Sequence, residues 1–366
     1  MVNALVSILI ISGLAAAWAA LLVLVRRYVI RYGEVQITIN DEAPITVEGG
    51  TSLLAALTDR KIFIPSACGG RGTCAYCKVK VLDGGGPISP TETPLLTPEE
   101  LADGTRLSCQ VKLREPIRIA IPAELLAVKE YEARVESIVD LTYDIKRFRF
   151  RLVDPERIEF IPGQYVQLFT PTYKGNNEEV YRAYSIASDP ADRTAIDLII
   201  RRVPNGICTT YCFDHLKEGD AVRFNGPYGE FHLSATDAEI VFIAGGSGMA
   251  PIECLLHHMR NTGTTRKATY FFGGNTPRDM FMAEAMARFE RDLPNFTYNP
   301  VVARPEEGDG WRGETGLVTE VVDRFLGADS TAEAYLCGSP GMIDASVKVL
   351  QAHGITDERI FYDKFS

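Results

Sequence analysis

Residues 65–77 read PSACGGRGTCAYC and set Cys68, Cys74 and Cys77 in a C-x5-C-x2-C run inside a glycine-rich loop, with Cys109 well beyond it. Thiolates bind soft metals, and two irons bridged by two sulfides need four cysteine ligands around one centre. Gly69, Gly70 and Gly72 let the backbone wrap closely and aim N–H groups at the sulfurs, which favours the extra electron of a reduced cluster. Zinc competes for the same side chains, but it typically takes two paired C-x-x-C knuckles, whereas here three ligands share one loop and the fourth stands alone. The pattern favours a [2Fe-2S] cluster on Cys68, Cys74, Cys77 and Cys109 over zinc or plain thiols. Cys208, Cys212, Cys254 and Cys337 lack metal-like spacing, and a buried apolar role is the default for the first three.

Upstream of this loop, residues 34–48 alternate as strands do and residues 51–59 read as a short capped helix. Further back, Val2 to Val25 are 24 consecutive residues without a charge. As a helix they span about 36 Å, more than a hydrocarbon core of about 30 Å. A secretory signal would need a basic start, yet the first basic residue is Arg26. Arg26, Arg27 and Arg31 form the flank expected on the cytoplasmic side of a bilayer. Residues 1–28 are therefore expected to be a single-pass transmembrane anchor in the cytoplasmic membrane, with the body of the protein in the cytoplasm. The segment carries Asn3, Ser7 and Ser12 but no ionisable group, so it offers no ion pathway of its own.

Downstream, short alternating stretches such as IKRFRFRL at 145–152 and GQYVQLF at 163–169 predict an antiparallel barrel. Within it lie Arg182, Tyr184 and Ser185 of an RAYS stretch. Gly206, followed by ICTT, opens a helical turn where backbone N–H groups and the Thr209 and Thr210 hydroxyls can receive a phosphate. From Ala238 onward apolar runs alternate with helical ones, among them a helix expected over Met280–Arg291, the pattern of an α/β domain with a parallel sheet. The first run enters GGSGMAPI at 245–252, a glycine turn opening a helix. Gly245, Gly246, Gly248 and Met249 are thus expected to meet a pyrophosphate favoured by the helix N-terminus. A 2′-phosphate would call for a basic pair after the next strand, but Arg278 is followed by the acidic Asp279, so NADH is favoured over NADPH.

The remaining composition excludes other classes. The chain has 366 residues, 38 Lys+Arg against 48 Asp+Glu, and a net charge of −10. It therefore carries no basic footprint for nucleic acid, and it is too apolar for a disordered chain.

The C-x5-C-x2-C loop resembles ferredoxin-like [2Fe-2S] β-grasp domains over residues 33–125. The trio RAYS, GICTT and GPYGEF resembles the flavin site of the ferredoxin–NADP reductase superfamily. That resemblance implies FAD rather than FMN in a barrel at 130–233, with Arg182 on the flavin phosphates, Tyr184 against the isoalloxazine and Ser185 near its N5. It also implies Gly206 with Thr209 or Thr210 on the pyrophosphate. In a nucleotide domain at 237–366 it implies Cys337 and Gly338 beside nicotinamide and flavin N5, and Phe365 as an aromatic gate on the flavin. The order anchor, ferredoxin, flavin barrel and nicotinamide domain resembles the F subunits of Na+-translocating NADH:quinone reductases. The fold class expected is multidomain: a transmembrane helix, an α+β β-grasp domain, an antiparallel FAD-binding β-barrel and an α/β domain. The resemblance implies electron flow from NADH through FAD and the cluster to integral-membrane redox subunits, with quinone reached indirectly. The alternative is an anchored NADH-dependent reductase supplying an oxygenase or other protein acceptor.

Overall fold

The structure is a computed structural model and describes residues 10–21, 32–305, 308 and 310–364. Residues 10–21 are helical and expose Ile10, Ile11, Leu14, Trp18 and Leu21. The rest of the expected anchor lies outside the described residues, and no helix among the described residues is long and apolar enough to cross a membrane. The chain divides into two compact units, one comprising residues 1–64 and 70–126, the other residues 65–69 and 127–366.

The first unit is a five-stranded mixed sheet in the order β2-β1-β5-β3-β4. Its strands are β1 (Glu34–Ile39), β2 (Ile45–Glu48), β3 (Lys78–Asp83), β4 (Thr105–Leu107) and β5 (Ile117–Ala120). The two-residue period of β1 sends Val35, Ile37 and Ile39 inward and leaves Glu34 and Gln36 outside. β1 runs parallel to β5, Ile37 opposite Ile117. Helix α1 (Leu53–Asp59) begins where the Ser52 hydroxyl accepts the Ala55 N–H at 3.2 Å, and it buries Leu53, Ala56 and Leu57 against the sheet. Two short helices, α2 (Pro98–Ala102) and α3 (Ala123–Leu126), complete the unit.

The second unit holds two six-stranded sheets. The first runs β10-β7-β6-β11-β8-β9 and its pairings are antiparallel. These strands are β6 (Lys129–Asp140), β7 (Ile145–Asp154), β8 (Tyr165–Thr170), β9 (Val180–Ser185), β10 (Ala195–Arg201) and β11 (Ala221–Tyr228). The expected antiparallel barrel is corrected to a half-barrel: among the described residues, edges β9 and β10 meet only through a single bridge just past β9, Ile186 to Leu198. β9 ends at Ser185, and the chain turns away through 188–194, so no ladder forms between the edges. Helix α4 (Ile207–Thr210) packs beside β8 and β9.

The other sheet is wholly parallel, in the order β15-β14-β13-β12-β16-β17. Its strands are β12 (Ile240–Gly245), β13 (Ala268–Gly274), β14 (Phe296–Val302), β15 (Glu314–Thr315), β16 (Glu333–Gly338) and β17 (Ile360–Lys364). Alternate residues of β12 face two cores. Ile240, Phe242 and Ala244 pack with α5 (Met249–Thr262) and α6 (Ala283–Asp292), while Val241 and Ile243 pack with α7 (Val318–Phe325) and α8 (Pro340–Ala352). A sheet covered on both faces explains why its strands read as unbroken apolar runs. Neighbours β13 and β16 flank β12 on opposite sides, so the C-terminal ends of β12 and β16 mark a topological switch point, where such sheets bind ligands.

Candidate functional site

In the first unit, the antiparallel pairing of β3 with β4 sets Lys78 opposite Leu107, and the Ser108 N–H donates to the Cys77 carbonyl at 2.8 Å. This brings Cys77 and Cys109 together, both buried. The Cys109 thiol beside it and burial push the Cys77 thiol well above its usual range. Two buried cysteines brought side by side by the sheet fit a site whose ligands bind a metal as thiolates. The loop before them turns sharply: Gly70, Gly72 and Ala75 have φ of +83°, +73° and +57°. Gly70 lies beside Cys109, where a Cβ would stand at ordinary contact distance, 3.9 Å, from the Cys109 Cβ. Cys74 is half-buried. Cys68 lies in the segment 65–69, which belongs to the second unit. Among the described residues no three His, Cys, Asp or Glu side chains stand together as a ready-made metal set.

In the second unit, β9 supplies Arg182, Tyr184 and Ser185. The Arg182 Nη1 donates to the Tyr181 carbonyl at 2.8 Å. Tyr184 packs on the half-barrel core, and burial, with the nearby Cys208 sulfur, pushes its phenol up, so the ring stays neutral. Ser185 is buried, and its hydroxyl donates to Asp363 Oδ2 at 3.4 Å. Around Gly206 the turn is self-contained: Thr209 Oγ1 accepts the Val203 N–H at 3.2 Å and lies 3.1 Å from the Val203 carbonyl. Thr209 is buried there, while Thr210 stays partly exposed one position further on.

The glycine turn lies at the switch point. Gly245 is extended, Gly246 is left-handed at φ +57°, and residues 246–248 form a single 3-10 turn before α5 begins at Met249. A Cβ on Gly248 would lie 2.2 Å from the Cys337 carbonyl oxygen, so only glycine lets this turn rest on β16. Gly338 has φ +149°, in the region reserved for glycine, and a Cβ there would meet Met342 Cε at 2.7 Å. The Cys337 side chain is wholly buried in the same core as Met249, and burial and Asp363 push its thiol up. A cavity of about 240 Å³ opens beside Gly245, Gly246 and Gly273, flanked by Arg201, Asp144 and Ser339. Phe365 lies outside the described residues.

Three features of the site escape the sequence reading. Asp363, on β17, is paired in register with Cys337 and reaches Ser185, joining the flavin-side sheet to the nucleotide sheet. Arg201, at the end of β10, donates from Nε to Asp144 Oδ2 at 2.7 Å and stands over Gly246. Arg147, Arg149, Glu253 and Asp197 form a half-buried ion network between β7, β10 and α5, with Arg147 Nη2 at 2.5 Å from Glu253 Oε2 and Arg149 Nη1 at 2.9 Å from Asp197 Oδ1. The alternating Arg residues of β7 are the available signal for that network, whereas nothing local marks Asp363.

Comparison with known proteins gives three domain matches. Residues 37–114 match the 2Fe-2S iron-sulfur cluster binding domain, residues 132–233 the oxidoreductase FAD-binding domain and residues 242–348 the oxidoreductase NAD-binding domain. The F subunit of the Na(+)-translocating NADH-quinone reductase of Neisseria gonorrhoeae is 34% identical over 98% of this chain and 98% of its own. That of Pseudomonas paraeruginosa is 34% identical over 97% of this chain and 96% of its own. Among solved structures, the Amycolatopsis cytochrome P450 reductase GcoB is similar with a TM-score of 0.73 and 27% identity, covering 90% of this chain and 98% of that one. A ferredoxin reductase in carbazole 1,9a-dioxygenase gives 0.69 and 26%, covering 91% and 98%.

Proposed function

The chain belongs to the family of Na(+)-translocating NADH-quinone reductase F subunits, and from that premise we propose that it oxidises NADH and passes the electrons through FAD and a [2Fe-2S] cluster to membrane redox subunits. The observation that carries the reading is the presence of iron-sulfur, FAD and NAD domains on one chain. When bound, FAD would take two electrons together as one hydride and release them singly, and a [2Fe-2S] cluster would carry one at a time.

The residues divide that work. Cys77 and Cys109 form the buried half of the cluster site, and Cys68 and Cys74 on the loop complete four thiolates. The Arg182 guanidinium gives a charged clamp for flavin phosphate, and Tyr184 offers its ring to the isoalloxazine. Ser185, oriented by Asp363, holds a hydroxyl where the flavin N5 would lie. With the Thr209 hydroxyl engaged in its own turn, the phosphate falls to Gly206, Thr210 and the backbone. Gly245, Gly246, Gly248 and Met249 receive the dinucleotide pyrophosphate, with Gly338 and Cys337 beside the nicotinamide and Phe365 as a gate. In this reading the cluster domain takes residues 33–125, the FAD-binding barrel 130–233 and the NADH-binding domain 237–366, supported by the family matches within each range. An anchor at 1–28 in the cytoplasmic membrane is supported by the uncharged run and by the apolar side chains that helical residues 10–21 expose.

The test uses the full chain purified from membranes. Expected are released FAD, about two irons and two sulfides per chain, NADH:ferricyanide activity, and loss of iron in Cys109→Ser. A fully loaded preparation without NADH oxidation would overturn the reading. A second reading, an anchored reductase serving an oxygenase, is favoured by the likeness to GcoB. Copurification with other components of a quinone reductase rather than with an oxygenase decides between the two.

A further inference from the structure

We propose that Gln110 is a positioning residue for the iron-sulfur centre: its side-chain amide, oriented by Thr91, donates a hydrogen bond to the Cys109 sulfur and makes the centre easier to reduce. The inference rests on the reading of Cys109 as a cluster ligand. Gln110 Nε2 stands 3.3 Å from Cys109 Sγ. A thiolate only accepts, so the amide must turn its N–H to the sulfur and its carbonyl away. Thr91 enforces that orientation by donating from its hydroxyl to Gln110 Oε1 at 2.9 Å, and the Ser89 hydroxyl, 2.7 Å from Thr91 Oγ1, completes the chain.

The segment that carries Thr91 is itself pinned. The Ser89 N–H donates to Glu92 Oε2 at 2.9 Å, and Glu92 is fully buried. Its carboxylate accepts Arg106 Nε and Nη2 at 2.9 and 2.7 Å and the Leu107 N–H at 3.0 Å. The cysteine loop closes over the amide from the other side: a Cβ on Gly72 would stand 2.6 Å from Gln110 Nε2. The donor is therefore held from two directions, which a solvent-swept glutamine would not be. A reduced cluster carries one more negative charge than an oxidised one, so an N–H aimed at a ligand sulfur stabilises the reduced form more, and hydrogen bonds to the sulfurs are among the settings of cluster potential.

The test is a dithionite titration of the loaded full chain, following the paramagnetic signal of the reduced cluster. Gln110→Met keeps the side-chain length and removes the N–H, and Thr91→Val keeps the shape and removes the orienting hydroxyl. Expected in Gln110→Met is a shift of the redox equilibrium toward the oxidised form of at least about threefold, about 28 mV at about 59 mV per decade for one electron. Thr91→Val should shift it in the same direction by less. A Gln110→Met midpoint within about 1.5-fold of the wild type, about 10 mV on the same scale, overturns the assignment. If Gln110→Met loads no cluster, Thr91→Val decides by the same criterion. Absence of any reduced-cluster signal in the wild type would instead sink the ligand reading beneath it.

Discussion

Replacing Gly248 by alanine places a methyl group 2.2 Å from the Cys337 carbonyl oxygen, 2.7 Å from its carbon and 3.1 Å from the Gly338 nitrogen. All three are backbone atoms of β16, whose residues are all buried and which is held between β12 and β17. No side chain can swing aside, so the turn or the strand must move by about 1 Å, and forced overpacking of this kind costs about 3 kcal/mol. At about 2–4 °C per kcal/mol for a folding unit of this size, thermal unfolding should fall by about 6–12 °C. The neighbouring glycines provide the scale. At Gly246 a Cβ meets nothing closer than Arg201 Nη1 at 3.6 Å, leaving only the left-handed backbone at φ +57°, which costs about 1 kcal/mol. At Gly245 the nearest atoms are the Gly273 carbonyl oxygen at 3.0 Å and Met342 Sδ at 3.3 Å, and the methionine can yield. Calorimetry of the loaded protein, with the Michaelis constant for NADH measured alongside, should rank Gly248→Ala far above the other two in both readouts. A Gly248→Ala protein that melts within about 2 °C of wild type and binds NADH unchanged would refute the close packing of the turn on β16.

Removing one partner of the buried Arg106–Glu92 pair by Arg106→Leu should cost about 3–5 kcal/mol in urea unfolding, and the double variant with Glu92→Leu should recover part of that loss. Burial raises the Glu333 carboxyl, but donors from Ser234, Thr236, Arg266 and Tyr335 outweigh it and hold it at about 2. The unfolded chain therefore binds this proton at higher pH than the folded one, so the contribution to stability is complete above pH 4.5 and disappears as pH falls toward 2. Glu333→Gln should flatten that acid limb in pH-dependent unfolding. Asp279 accepts the Asn275 and Thr276 N–H groups at 3.0 and 2.8 Å beside the cavity. Asp279→Asn keeps an acceptor while removing the charge, and the NADPH:NADH ratio of kcat/KM should rise by about fivefold, equivalent to about 1 kcal/mol of like-charge repulsion; an unchanged ratio would exclude Asp279 from cofactor choice.

The legible parts of this protein are those whose chemistry is local. The cysteine spacing, the alternating apolar runs and the glycine turn at 245–248 each depend on a few adjacent residues, and each lies on the element expected. The spacing of apolar residues predicts a helix from Met280, yet α6 starts at Ala283, because Met282, at φ +60°, breaks the helical backbone just before it. An antiparallel barrel is the natural expectation from alternation, which reports strands but not how their edges meet. Asp363 beside Ser185, Arg201 over Gly246 and Gln110 beside Cys109 depend on how distant or neighbouring side chains are aimed, which periodicity does not encode.

The ion network of Arg147, Arg149, Asp197 and Glu253 also limits what can be exchanged among relatives. A nucleotide domain grafted from another reductase brings its own residue to the place of Glu253, and unless that residue is acidic Arg147 loses its short partner and keeps only the longer pair with Asp197 at 3.7 Å. Chimeras that swap flavin and nicotinamide halves should therefore fail as mismatched charge codes rather than as poor shape fits, and transplanting the partner charges with the domain should restore them.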